Sequence, residues 1–389
     1  MEYNQSADVA NEFLTARGWQ RYLCSICGRT FFSKCAMPGS SCGWRGCNQR
    51  DNLFHMRAKR KKMLAPAQIS AKMGDYFHSV GFDLVSPRNI ANSEGQTDLI
   101  IAGVQIFDDV IHKHKEVRED KVFVAQPCVR MQFQPHVESQ EGTSTSFINV
   151  CTEKMGATFD EHLQMIDHWC TIFSKLGLHM NDFTIVMRSS TKDWGTGKFS
   201  APELFFSYGG LELGDAVFLL IPQADRQAIP ISDIGFGLER IAWAINKNDS
   251  YFDTLIPWTA SGPREMFDAY RAVALLTLCG VQATNKGPGL QLRRFAKILG
   301  EKYYGSDAFG ILSYYFGYWA QFIKPSVSKD NAIQLAQLEI DRFVNLKVCA
   351  NTGLPKPNAE TTETYINRLV YTYGADIYEL RKAIQTCKT

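Results

Sequence analysis

Five of the eleven cysteines lie close together near the N-terminus. Cys24 and Cys27 form one pair with two residues between them, and Cys42 and Cys47 form a second pair with four between them. Two such thiolate pairs on tight turns are typical of a tetrahedral Zn²⁺ site, which leaves no open position for a catalytic water. The sequence therefore predicts a structural zinc site on these four residues. Cys35 is a fifth candidate that could take the place of Cys42.

Basic residues are concentrated in the same N-terminal segment. Residues 1–62 contain eleven Lys and Arg against four Asp and Glu, whereas the whole chain has a net charge of +2. A basic end on a mildly acidic body can contact nucleic-acid phosphates. The basic run that ends this segment is equally typical of a solvent-exposed helix face. This run consists of Arg57, Lys59, Arg60, Lys61 and Lys62.

Length and composition limit the class of protein. The chain has 389 residues, of which 45% are hydrophobic and 21% charged. This balance is typical of a globular protein of two or three domains and excludes disordered, collagen-like and coiled-coil chains. No apolar run reaches the roughly 20 residues of a membrane span, and no basic segment followed by an apolar one suggests secretion. We expect a cytoplasmic protein without a membrane partner, whose six scattered cysteines are small hydrophobic residues and not disulfides.

Hydrophobic periodicity predicts the elements that must position any site. Strands are gathered in the middle of the chain and helices follow, which favours an α+β fold with an antiparallel sheet. The predicted helices cover 65–80, 158–176, Leu238–Asn246 and most of the chain after 261. The predicted strands cover 121–130, 146–151, 183–187, 203–207 and 216–220, the first two forming a hairpin with a long polar loop. Neither a GxGxxG nor a P-loop motif is present, which disfavours a doubly wound nucleotide-binding fold.

Three segments, in this order, resemble motifs 1, 2 and 3 of class II aminoacyl-tRNA synthetases. They are FDLVSPRNI with Pro87, QPCVR ending at Arg130, and DIGFGLER ending at Arg240. The N-terminal FLTARGWQRYLCSICGRTFF is similar to archaeal-type alanyl-tRNA synthetases, and GVQATNKGPGLQLRR to their tRNA-recognition domain. The resemblance spans nearly the whole chain, and the family's editing and C-terminal domains have no counterpart in it.

This resemblance implies a class II synthetase fold with three parts. Residues 1–62 would form a zinc-binding segment, 63–255 the catalytic domain and 256–389 a helical domain like the tRNA-recognition domain. The family implies ATP with Mg²⁺ as cofactor, because an amino acid is activated as its adenylate. The oligomeric state stays open.

Motifs 2 and 3 imply how ATP would be held. Arg130 would clamp the α-phosphate together with the attacking carboxylate, and Arg240 would hold the γ-phosphate. Phe147, on the return strand, would stack on adenine, with plain core packing as the alternative. Gly235 and Gly237 would let the backbone approach the substrates closely. The alternative for both arginines is a surface ion pair.

The amino acid would lie beside the same strands. Asp233 would pair with its α-ammonium, with Gly235 beside it, and Trp194 in the DWGTG segment would line the pocket unless it is core packing. Asp215 is either an additional ammonium partner or a helix cap. The resemblance implies alanine or a close analogue as the substrate.

Two departures from the family concern the acceptor. The return strand has Gly142-Thr143 and Phe147-Ile148 where the family has an Arg-His pair and Phe-Glu. Tyr371 stands where the family has an aspartate that reads the acceptor-stem G·U pair, whereas the partner asparagine has a match in Asn285, and Arg293 and Arg294 follow it. We therefore expect amino-acid adenylation with transfer to tRNA or by a tRNA-like route. The alternatives are a ligase with a non-tRNA acceptor, such as a small metabolite or carrier protein, and a non-catalytic tRNA-binding paralogue.

Overall fold

One sheet of nine strands forms the centre of the described chain. The computed structural model describes residues 3–35, 41–43, 47, 63–91, 95–113, 120–195, 197–223, 227–256, 261–305 and 307–385. The basic run at residues 57–62 and Cys387 lie outside these ranges. The strands are β1 (Gln20–Leu23), β2 (Thr30–Ser33), β3 (Asp83–Leu84), β4 (Lys121–Val129), β5 (Ser146–Met155), β6 (Phe183–Trp194), β7 (Gly197–Tyr208), β8 (Leu211–Ile221) and β9 (Ile229–Gly237).

The sheet has the order β1-β2-β6-β7-β8-β9-β5-β4-β3, in which every neighbouring pair is antiparallel except β3 and β4. The described helices are α1 (Tyr3–Ala16), α2 (Pro66–Ser79), α3 (Asp108–Lys113), α4 (Phe159–Lys175), α5 (Leu238–Asn246), α6 (Arg264–Leu278), α7 (Gly287–Lys302), α8 (Ala308–Trp319), α9 (Lys329–Thr352), α10 (Thr362–Tyr373) and α11 (Ile377–Gln385). The predicted α+β class is confirmed. Domain borders after residues 62 and 255 stay predictions. Among the described helices, none has the length and apolarity that a membrane span requires.

Local sequence explains where the predicted helix after β5 begins. The Thr158 hydroxyl accepts a hydrogen bond from the backbone N–H of Glu161 at 3.2 Å, and the Glu161 carboxylate accepts one from the Thr158 N–H at 2.8 Å. This capping box satisfies two backbone donors that the first turn leaves free. The helix then buries Leu163, Trp169 and Phe173 against the sheet, so its predicted apolar stripe is confirmed.

Four strands, β5, β6, β7 and β8, are longer than hydrophobic periodicity indicates. β6 and β7 pair from Phe183 opposite Tyr208 to Trp194 opposite Gly197. The far half of this hairpin is polar and partly exposed, so it has no apolar alternation for a sequence pattern to detect. Backbone pairing with the neighbouring strand, which no periodicity reports, extends it.

The two faces of the sheet bury different clusters. One face packs on α2, α4 and α5 in the main core, through side chains such as Phe123, Val150 and Phe236. The other face carries alternate residues and packs beneath the 3₁₀ turn Gly103–Phe107 and α3. This smaller apolar cluster consists of Val104, Ile106, Phe107, Val110, Ile111, Val122, Val124, Cys151, Met155, Ala201, Val217, Leu219, Ile221, Ile229 and Ile231.

The N-terminal segment is an edge of the same sheet. β1 and β2 form a hairpin, and β2 pairs with β6 through Phe32 opposite Ile185 and Ser33 opposite Thr184. Helix α1, which was not predicted from the sequence, buries Ala10 and Leu14 in the main core. The cysteine-bearing segment is therefore joined to the sheet by backbone hydrogen bonds.

A buried ion pair joins the sheet, α5, α6 and α8. Glu239 and Arg271 are both 0% exposed, and Arg271 Nη2 donates to Glu239 Oε1 at 2.9 Å. The same carboxylate accepts hydrogen bonds from the Ile148 N–H at 3.0 Å and the Tyr318 hydroxyl at 2.9 Å. The rings of Tyr318 and Trp319 each lie 4.6 Å from the guanidinium carbon, so the remaining charge faces aromatic surfaces.

Breaking this pair from one side should destabilise the fold strongly. Arg271→Met leaves the Glu239 carboxylate buried without its cation, and we expect the free energy of unfolding to fall by about 3–5 kcal/mol. Lys297→Met is the matched control, because Lys297 belongs to an exposed pair with Glu301, and such pairs are worth roughly 0–1 kcal/mol. Urea unfolding followed by tryptophan fluorescence measures both. Equal losses in the two variants would contradict a dominant contribution of the buried pair to stability.

Candidate functional site

A cavity of about 180 Å³ opens on the face of the sheet that carries the smaller apolar cluster. Its walls come from the ends of β4, β5, β8 and β9, the loop before β5, and the first turn of α5. Six of the residues predicted for ATP or amino-acid binding line it. They are Arg130, Phe147, Asp215, Gly235, Gly237 and Arg240.

Arg130 is held at the end of β4. Its Nε donates to the carbonyl of Ile101 at 2.7 Å, which fixes the side chain against the segment before the 3₁₀ turn. The guanidinium carbon lies 5.0 Å from the ring centre of Phe147 and 5.8 Å from that of Phe133. No salt bridge occupies this arginine among the described residues. Neutral groups therefore orient the Arg130 side chain, and its positive charge remains available to bind an anion.

Arg240 reaches the same cavity from the start of α5. Its Nε donates to the carbonyl of Gly142 at 2.7 Å and its Nη1 to the carbonyl of Glu212 at 3.0 Å. The Glu212 carboxylate lies 3.8 Å from Nη1. Two backbone acceptors thus orient the guanidinium and tie together α5, β8 and the loop before β5. Arg130 forms no ion pair among the described residues, whereas Arg240 pairs with Glu212, so the predicted ion-pair alternative stays open for Arg240.

Close backbone approach explains the glycines at the cavity floor. A Cβ on Gly235 would lie 2.6 Å from Asn149 Oδ1, and one on Gly214 would lie 2.1 Å from the Gly235 carbonyl oxygen. Gly237 differs, since a Cβ there would make only ordinary contacts with Arg240, the nearest at 3.6 Å. The first two positions therefore need glycine for packing, whereas Gly237 precedes α5 as its N-cap.

The floor is acidic. Asp215 lies within β8, so the predicted alternative of a helix cap is wrong. Asp233 is directly opposite Glu153 in the β5–β9 pair, and Asp215 pairs with Gly235 in the β8–β9 pair. Glu203, on β7, accepts a hydrogen bond from Lys192 at 2.8 Å. Side chains alternate between faces, so this register puts all four carboxylates on one face of the sheet. Of the four, Asp215 lines the cavity, whereas Asp233, Glu153 and Glu203 lie outside its lining.

Burial and mutual repulsion set the charge of these groups. Burial, reinforced by the charge of Asp233, raises the pKa of Glu153 well above its usual value. Burial and the neighbouring Glu203 do the same to the pKa of Asp215, and burial raises the pKa of Asp233. Burial opposes ionisation of Glu203 as well, but its hydrogen bond with Asp215 and the charge of Lys192 lower its pKa. The floor therefore favours bound protons or bound cations.

Trp194 lies outside the cavity lining. Its Nε1 is 3.0 Å from both Asp108 Oδ1 and His112 Nε2, and its ring packs against the smaller apolar cluster. The ring therefore packs against α3 at the turn of the β6–β7 hairpin and outside the cavity. A direct contact between Trp194 and an amino acid stays a prediction.

Several groups that shape the site were not predicted from the sequence. Asn149, Phe133, Glu212 and Tyr251 line the cavity. Strand alternation is the signal that could have revealed Asn149, because it is two residues after Phe147. The other three lie on loops and on a neighbouring strand, and no local sequence pattern indicates that they line the cavity.

Helix α6 holds the loop before β5. The Thr145 N–H donates to Asp268 Oδ1 at 2.7 Å, and the Thr145 hydroxyl donates to the other oxygen of that carboxylate. The Arg130 N–H in turn donates to the Thr145 carbonyl at 2.9 Å. A helix from beyond residue 261 therefore positions the strand ends that carry Arg130 and Phe147.

The four predicted metal ligands come together. The sulfur atoms of Cys24, Cys27, Cys42 and Cys47 all lie within 4.8 Å of one another, a spacing that could hold one metal ion. Burial tends to raise the pKa of Cys24, but hydrogen bonds from nearby backbone N–H groups outweigh it and lower that pKa to about 6. Cys35 is exposed and is not part of this group, so the alternative in which it replaces Cys42 is wrong.

The residues predicted to contact tRNA do not form one cluster. Asn285 accepts a hydrogen bond from Arg293, which also pairs with Glu339 of α9 at 3.1 Å. Arg294 is exposed beside them. Tyr371, on α10, is 85% exposed, and no described hydrogen bond or ring contact joins it to the other three.

Comparison with known proteins shows which sequences and structures this chain is similar to. No protein-family model matches it. Its similar relatives include alanine–tRNA ligases of Staphylothermus marinus (25% identical, covering 64% of this chain and 28% of the relative), Korarchaeum cryptofilum (24%, covering 62% and 27%) and Metallosphaera sedula (22%, covering 63% and 27%). Two solved structures of pyrrolysyl-tRNA synthetase from Desulfitobacterium hafniense match at 14% identity with a TM-score of 0.34, covering 56% of this chain and 81% and 79% of theirs. The predicted resemblance is confirmed: this chain is similar to the archaeal alanine–tRNA ligases over most of its own length and spans about a quarter of theirs.

Proposed function

We propose that this chain activates an amino acid, alanine or a close analogue, with ATP and Mg²⁺ and passes the aminoacyl group to an acceptor. The observation that carries this proposal is the cavity that Arg130 and Arg240 line together with the carboxylate of Asp215. An amino acid and a nucleoside triphosphate need such a division of charge, since one brings an ammonium and the other several phosphates. The similarity to alanine–tRNA ligases supports the same activity.

The chemistry assigned to the site is attack of the amino-acid carboxylate on the α-phosphorus of ATP. A new O–P bond forms, the bond to the β-phosphate oxygen breaks, and pyrophosphate leaves. Arg130 would stabilise the charge that develops at the α-phosphate, and Arg240 would hold the outer phosphates. Asp233 would hold the α-ammonium, and Phe147, whose ring lies beside the Arg130 guanidinium, would contact adenine. Mg²⁺, bound together with ATP, would offset the charge of the phosphates.

The cysteine cluster would hold structural Zn²⁺. The four sulfur donors lie at metal-binding spacing. This matches the preference of Zn²⁺ for tetrahedral thiolate sites, and such a closed site has no position for a substrate. Free thiols elsewhere in the chain are consistent with the reducing cytoplasm that we propose as the location.

The acceptor proposed first is tRNA, contacted by Asn285, Arg293 and Arg294 at the start of α7 and, separately, by Tyr371 on α10. A non-tRNA acceptor is the second candidate, and two observations favour keeping it. Tyrosine at position 371 offers no charged acceptor group, and the loop before β5 has Gly142-Thr143 in place of a basic pair.

Removing either arginine should abolish activation. Arg130→Ala and Arg240→Ala should each reduce amino-acid-dependent exchange of pyrophosphate into ATP by roughly a hundredfold or more, because one charge-assisted clamp contributes about 3 kcal/mol. Arg342→Ala, which alters a half-exposed pair with Glu339 on α9, is the matched control and should keep full exchange. Unchanged exchange in both test variants would overturn the proposal.

Purified protein should contain one zinc ion per chain. Cys24→Ser should lose the metal and destabilise the β1–β2 hairpin, because structural zinc contributes directly to folding. Cys35→Ser should keep the metal, since this cysteine lies outside the cluster. Elemental analysis of all three proteins tests this, and a wild-type chain purified without chelators that contains no zinc would refute it.

Charging of two tRNAs distinguishes the acceptors. If Tyr371 has replaced an acidic reader of the G·U pair, alanine tRNA and its G·C variant should be charged at rates within about tenfold of each other, since one specific contact is worth roughly 1–3 kcal/mol. Charging of the G·U form more than a hundredfold faster would mean that this pair is read. Adenylate formation without charging of either tRNA would favour the non-tRNA acceptor.

A further inference from the structure

The four carboxylates differ in how far they are exposed to solvent. Asp215 and Asp233 are partly exposed, whereas Glu153 and Glu203 are 0% and 2% exposed. Glu153 lies opposite Asp233 across the β5–β9 pair. Glu203 is on β7, two residues before Phe205, and Phe205 pairs with Asp215. Each partly exposed carboxylate therefore has a buried carboxylate beside it on the same face of the sheet.

Protein cations do not balance this group. Lys192 pairs with Glu203, but no ion pair to Asp215, Asp233 or Glu153 is formed by any described residue. Neither carboxylate oxygen of Glu153 has a hydrogen-bond partner, although the side chain is fully buried. The group facing it is the carboxyl of Asp233, which can bond to it only through a shared proton. An uncompensated buried carboxylate is costly, so this group favours either bound protons or an added cation.

The spacing argues against a metal ion as that charge. Within the described residues, the cysteine cluster is the one group of three or more such side chains with metal-binding spacing. Asp215 and Asp233 are diagonal neighbours on adjacent strands, since Asp215 pairs with Gly235 and Asp233 with Val217. The backbones of diagonal neighbours lie roughly 7–8 Å apart, a spacing that suits two ammonium groups of one organic molecule.

A single ammonium leaves the floor unbalanced. In the proposed function the α-ammonium pairs with Asp233, which leaves Asp215 with no cation of its own. The apolar residues Ile231, Met155 and Leu219 follow next along the same face and limit how far a side chain can extend. The remaining negative charge is therefore near the position of a short substrate side chain.

We propose that the amino acid activated here carries a second amino group on a short side chain, with its side-chain ammonium bound at Asp215. This inference rests on the proposed function and names its substrate class. Glu203 adds negative potential beside Asp215, whereas burial opposes ionisation of Glu153. An amino acid without the second amino group would leave Asp215 to be neutralised by a proton.

Matched pairs of substrates test the side-chain charge at constant shape. Pyrophosphate exchange is measured with 2,3-diaminopropionate against 2-aminobutyrate, with 2,4-diaminobutyrate against norvaline, and with alanine. We expect kcat/KM for at least one diamino acid to exceed that of its uncharged isostere, and that of alanine, by roughly a hundredfold or more, because a site built for a polar group rejects analogues that lack it.

Asp215→Asn should reduce the ratio between the diamino acid and its isostere to less than about tenfold. This ratio does not depend on the amount of folded protein. Asp193→Asn, which neutralises an exposed carboxylate on β6, should leave the ratio unchanged. Equal use of the isosteres or preference for alanine overturns this inference and keeps the proposed function. An unchanged ratio in Asp215→Asn also overturns it, whereas no exchange with any amino acid overturns the proposed function itself.

Discussion

The buried Glu239–Arg271 ion pair is the interaction on which the arrangement of the molecule depends. Glu239 follows the β9 glycines and lies next to Arg240 in the chain, and its carboxylate also holds the backbone of β5 at Ile148. Arg271 comes from α6 and is enclosed by Tyr318 and Trp319 of α8. Two charges removed from water tolerate little displacement, since separating them would leave each uncompensated. The helices after residue 261 are thereby fixed relative to the strands that form the cavity.

This coupling gives the later helices a role in the site itself. Asp268 binds Thr145, Thr145 binds the backbone of Arg130, and Arg271 reaches the carbonyl of Ser146. These contacts set the ends of β4 and β5, from which Arg130 and Phe147 extend. A helical region that resembles a tRNA-recognition domain therefore also orients the groups assigned to ATP. Substitutions in α6 act on the cavity through the backbone, because no side chain of that helix lines it.

Charge is separated within the cavity. Its upper wall presents two guanidinium groups oriented by neutral carbonyls, and its floor presents carboxylates whose pKa values are raised by burial and by one another. Neutral acceptors orient Arg130 without cancelling its charge, whereas at Arg240 the Glu212 carboxylate, 3.8 Å from Nη1, offsets part of the charge. The raised pKa values of Glu153, Asp215 and Asp233 favour their protonated forms when no cation is bound. Binding of a cation there would release protons.

The residues that carry chemistry could be found from the sequence, but their mutual positions could not. The spacing of Cys24 and Cys27 indicated one half of a metal site, and the choice of Cys42 over Cys35 required the fold, because it depends on how the segment returns to β6. The motif words identified Arg130 and Arg240, and periodicity predicted α4 and the β4–β5 hairpin, because these signals are local. By contrast, the four-carboxylate floor combines residues from β5, β7, β8 and β9, and only strand register decides that they share a face. The Glu239–Arg271 pair joins residues 32 positions apart in the chain, and burial, which no local pattern reports, determines its strength.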